Sequence, residues 1–169
     1  DLRFRRSTEL SGADRIPRAA PCVNVPTEPK VPDAVVELVA WYYTEGSGRP
    51  SGAITLAQSH VVNPDNCARI TAALLALYGP PVPSMRRGGT SAPWPEWTQG
   101  CGNDGRAWWH LNKAAAEPIV AHAPGVDKVP DLRFVQSLTV AQLRDFIDVS
   151  MLADNDGARR FSQKVSARC

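Results

Sequence analysis

Apolar positions recur at helical spacing most clearly between Asn63 and Gly79. Cys67, Ile70, Leu74, Leu77 and Tyr78 fall on one face of a 3.6-residue period. Both ends of this segment are marked. Asn63 is a good N-cap, Pro64 suits the first helical position, and Asp65 places negative charge where the helix dipole favours it. Gly79 suits the position just past the end, and Pro80-Pro81 forbids continuation. The spacing thus predicts a central helix with a cysteine in its first turn, on the buried side.

The same pattern predicts a second helix over 34–44, capped by Asp33, with Val35, Leu38, Val39 and Tyr42 inward. Trp41 and Tyr43 widen that face or reach a surface. Residues 46–52, Gly-Ser-Gly-Arg-Pro-Ser-Gly, read as a flexible or turning loop. Residues 52–62 fit a short helix or a strand. Trp108–Leu111 fits either as well, Ala114–Glu117 reads as helix, and Pro118 breaks or kinks it. Residues 131–138 alternate weakly and suggest a strand. Thr139 and Gln142 have capping-box spacing and open a helix with Val140, Leu143, Phe146, Ile147 and Met151 on one face. Residues 80–104 form the longest irregular stretch, rich in proline and holding Trp94 and Trp97.

The chain of 169 residues fits one domain. We read an irregular basic arm over 1–21 and a globular domain over 22–169. Within the arm, Arg5-Arg6 suits a processing site or an anionic contact, but solvated terminal arms are the commoner case. A net charge of +2 demands neither a nucleic-acid nor an anionic-membrane partner. No run of about 20 apolar residues is present, so no transmembrane span is expected. Cysteine usage changes the picture more. Cys22, Cys67, Cys101 and Cys169 are widely spaced, without a Cys-x-x-Cys pair. That argues for two disulfides over a zinc site, and hence for a secreted, extracellular protein. The expected fold class is α+β, helix-rich: a small single domain with long Pro-rich loops and two disulfides.

Candidate chemistry is sparse. His60, His110 and His122 have no paired ligand spacing, so neither a metal nor a cofactor is implied. His110 follows Trp108-Trp109, where it stacks, binds a ligand or simply packs. Asp154-Asn155-Asp156-Gly157 has the look of a calcium loop, but Leu152 stands where an oxygen donor is needed, which leaves a helix-ending turn. Cys101 in Gln-Gly-Cys-Gly has a superficial likeness to a cysteine nucleophile, without the flanking pattern; a disulfide is the better reading. Trp94, Trp97, Trp108 and Trp109 bracket Cys101. They either pack over a disulfide as core or form an exposed aromatic surface, since tryptophan is enriched in binding hot spots.

Two resemblances add expectations. Glu45 ends a helix before a Ser/Gly loop and a Gly-Ala-x-x-Leu-x-Gln run. This resembles lysozyme-like transglycosylases and implies a general-acid Glu45 in a secreted glycan hydrolase. The loop is short for that family, and no second carboxylate is placed. The second resemblance runs from Cys67 to Cys169. Asp65-Asn66-Cys67 opening a helix, a tryptophan segment, Gly100-Cys101, the helix Ala141–Asp148 and a terminal Cys169 are similar to fungal secreted necrosis-inducing, extracellular-protein-two-like effectors. The first cysteine departs from the pattern, being followed by Val23 rather than glycine. The resemblance implies a virulence effector that acts by binding, with no catalytic residues. Pairing of Cys67 with Cys101 and of Cys22 with Cys169 would suit it. The first expectation is therefore a non-enzymatic interaction protein, whether effector, toxin-like or ligand-binding domain. It would meet a protein or glycan partner through the Trp/Pro-rich loop at 83–101. The glycan hydrolase is the alternative.

Overall fold

In the computed structural model, residues 25–81 and 95–153 are described. The first helix, α1 (Asp33–Glu45), is apolar nearly all round. Val35, Val36, Leu38, Val39, Ala40, Trp41 and Tyr42 are all buried. A helix apolar on every side must be enclosed by other elements, and α1 packs against three helices and the sheet. The organising element of the fold is thus α1, rather than the helix at 64–78 that stands out in the sequence. Asp33 lies in the first turn, and Pro32 occupies the cap position in its place. Trp41 widens the apolar face and is fully enclosed.

Two short strands follow, β1 (Gly46–Gly48) and β2 (Ile54–Ser59). The expected loop at 46–52 is therefore half strand and half hairpin turn. Gly52 N–H donates to the Arg49 carbonyl and Arg49 N–H to that of Ala53. Gly52, at φ 86°, takes the left-handed conformation that closes the turn. The ambiguity at 52–62 resolves as strand because apolar positions alternate: Ile54 and Leu56 are buried, Thr55 and Ala57 half-buried.

Helix α2 (Pro64–Tyr78) starts and stops where the sequence marks it. Ile70 and Leu74 are buried, and Cys67, Leu77 and Tyr78 are half-buried beside them. Asn63 caps by position only. Its side-chain amide donates to Gln58 Oε1 at 3.0 Å. Residues expected to be irregular around 97–101 form an edge strand, β3 (Trp97–Cys101), which pairs with β4 (Arg106–Leu111). All strands run antiparallel in the order β1-β2-β4-β3.

Asn112 then caps α3 (Lys113–Val120) by accepting from Ala115 N–H at 2.9 Å. Pro118 lies inside this helix, two residues from its end. The segment expected as a strand at 131–138 is a short helix, α4 (Leu132–Ser137). Asp131 follows Pro130 and accepts from Arg133 N–H at 2.7 Å, which starts a helical turn. Phe134 is its buried residue, stacked on His122 and edge-on to Phe146.

The last helix, α5 (Val140–Ala153), opens on the expected reciprocal cap: Thr139 N–H donates to Gln142 Oε1 and Gln142 N–H to Thr139 Oγ1. Its buried face is rotated from the expected one. Gln142, Phe146 and Val149 are enclosed, whereas Val140, Ile147 and Met151 are exposed. The architecture is a small α+β domain in which helices pack on one face of a four-stranded antiparallel sheet. Among the described residues, no helix is long and apolar enough to cross a membrane.

Candidate functional site

Alternation along the strands sorts the tryptophans into two classes. Trp97, Trp109 and Leu111 join Ile54 and Leu56 on the core face. Trp97 is 2% exposed and donates its indole N–H to the Gly79 carbonyl at 3.1 Å. Trp109 is fully buried and donates to Thr71 Oγ1 on α2 at 3.1 Å. These two are structural, so the expected binding surface loses both. Trp94 lies outside the described residues, as do Cys22, Cys169, the Arg5-Arg6 pair and Asp154–Gly157.

Trp108 and His110 point the other way. On this outer face, register sets Thr55 and Thr98 on either side of His110, and Ala57 and Gly100 on either side of Trp108. Trp108 is 40% exposed. Its ring lies over Gly100, where a Cβ would overlap it, so only glycine in the neighbouring strand lets the indole lie flat. Thr55, Thr98, Trp108, His110 and Arg49 together line an open concavity of about 440 Å³. His110 Nδ1 is 3.2 Å from Thr55 Oγ1. Partial burial pushes the imidazole pKa below 6.5, and the Arg49 charge pushes it further in the same direction. The face thus offers an aromatic plane, two hydroxyls, a largely neutral imidazole and one guanidinium. Sequence order alone hides this set, because three strands and a hairpin turn contribute to it.

A second group gathers where α2 begins. His60 Nδ1 is 2.7 Å from the Gly105 carbonyl and 3.3 Å from Cys101 Sγ. A carbonyl only accepts, so Nδ1 carries the hydrogen and faces the sulfur as a donor. Burial raises the Cys67 pKa, and a charge on Cys101 raises it further. Both thiols are free in this structure, so the expected bridge between them is not formed here. No cluster of three metal-ligating side chains occurs among the described residues.

Glu45 ends α1, as the sequence suggested, and is half-buried. It lies close enough to Lys128 for its charge to favour the ammonium form.

No protein-family model, curated protein or solved structure matches this chain.

Proposed function

We propose that the protein is a secreted, non-enzymatic binding module that meets a protein or glycan partner through the outer face of its sheet, with Trp108 at the centre. The observation that carries this reading is the half-exposed Trp108 indole seated on Gly100 and ringed by Thr55, Thr98, His110 and Arg49. A rigid aromatic plane with polar groups at its rim is the usual composition of a binding hot spot. The proposed surface therefore sits on strands rather than on the Pro-rich loop. Two disulfides complete the proposal. The pairing of Cys67, in the first turn of α2, with Cys101, at the end of β3, is what the effector resemblance implies; in the structure both thiols are free.

The test is binding of labelled protein to a glycan array and to an array of extracellular proteins. Trp108→Ala removes the plane and should weaken the strongest interaction by roughly 30-fold, the scale of a hot-spot truncation of about 2 kcal/mol. Gly100→Val should do the same by lifting the ring while Trp108 itself is kept. Wild-type binding by both variants in folded form, or no binding by the wild type on either array, would sink the reading.

A further inference from the structure

A separate cavity of about 380 Å³ opens at the end of the sheet, between the β1–β2 turn, the C-terminal ends of α1 and α3, and the loop before α4. Its volume is in the range of small-molecule sites. Tyr42, Pro50, Ile54, Val120 and Val126 supply apolar walls, and the only formal charges among its described lining residues are Arg49 and Lys128. An apolar chamber with a cationic edge and no acidic lining is complementary to an apolar anion.

Lys128 is held for this position. Its φ of 52° is in the left-handed region, which a lysine adopts only where its surroundings impose it. The half-buried amine donates to the Gly46 carbonyl at 2.6 Å and sits 5.7 Å from the centre of the Tyr42 ring. An ammonium has three N–H donors, so the Gly46 bond leaves capacity for an incoming oxygen. Burial lowers the amine's pKa, and the nearby Glu45 charge opposes that shift. Val126, 95% exposed, offers an apolar side chain at the cavity's edge.

We propose that this cavity binds a small apolar carboxylate, with its chain among Tyr42, Ile54 and Val120 and its carboxylate held by Lys128 and Arg49. The site is independent of the sheet-face reading, although Arg49 borders both.

The experiment titrates the full chain with octanoate, and in parallel with uncharged octanamide, following methyl resonances by NMR. Saturable shifts at Ile54, Val120 and Val126 are expected, with little change at the buried Leu74 or Val149, neither of which lines the cavity. Octanamide should bind about tenfold more weakly, the scale of one charge-assisted hydrogen bond. Lys128→Met should cause a similar loss. Because that variant also removes the bond to Gly46, Arg49→Gln is measured beside it; its side chain is exposed and makes no such bond. Absence of saturable shifts, equal affinity for octanamide, or shifts centred on Trp108 would each overturn the proposal. The last result would move the ligand to the sheet face without touching the evidence for Trp108 as a partner site.

Discussion

At the scale of single residues, the titrating groups are half-buried imidazoles. Burial is the leading cause that lowers both the His110 and the His122 pKa below 6.5. In His122, the Asp131 charge partly offsets it, while the ring stacks on Phe134 with centroids 4.5 Å apart. A base whose pKa is lowered by folding binds fewer protons in the folded state than in the unfolded state. Stability is then complete above 6.5 and declines as pH falls through the window below it. Thermal melts across that window should show a falling Tm, and His122→Gln should flatten the slope. A profile that stays level for the wild type would contradict the burial of these rings.

At the scale of elements, Gln142 is the informative case. It is 3% exposed, and its amide nitrogen lies 2.7 Å from both the Val31 carbonyl and Asp33 Oδ1, at the start of α1. Its amide oxygen also closes the cap on α5. Gln142→Leu keeps the volume but removes these side-chain bonds, leaving the half-buried Val31 carbonyl and the exposed Asp33 carboxylate without this partner. Chemical denaturation should register a loss of about 2–4 kcal/mol. A loss below about 0.5 kcal/mol, the level of an ordinary surface change, would show that the clamp is incidental. The same residue explains what was readable in the sequence. The capping box at Thr139 and the limits of α2 depend on neighbours in the chain, and they were legible. The inward face of α5 was not, because hydrophobic periodicity counts glutamine as outward. Burying Gln142 turned the face away from Val140, Ile147 and Met151. Likewise Leu132, Phe134 and their neighbours alternate weakly enough to suggest a strand, until the cap at Asp131 decides for helix. Of the candidate site, Trp108 and His110 were legible. Separating them from Trp97 and Trp109 required strand register, which periodicity alone does not supply.

At the scale of the whole molecule, the question is how the described domain is tied to the rest of its chain. Cys67 lies in the first turn of α2 and Cys101 ends β3, so a bridge between them would staple the sheet edge to a helix. The resemblance to the necrosis-inducing effectors implies Cys22 and Cys169, both outside the described residues, as the second pair. A non-reducing peptide map of protein recovered from an oxidising compartment should return both pairs. Joining such distant positions stabilises by about 2–4 kcal/mol per bridge. Four free thiols in that map would remove the extracellular reading, and crossed pairs would refute the stapling of β3 to α2.

The clamp between Gln142 and the start of α1 also bears on time. It joins positions 111 residues apart, and α1 itself has apolar side chains on nearly every side. A growing chain therefore makes its most water-averse helix early and the helix that finishes enclosing it late. Until α5 arrives, α1 has no complete shelter, and distant closures of this kind are slow relative to helix formation. The interval during synthesis is thus the vulnerable moment in this protein's life, when self-association competes with folding.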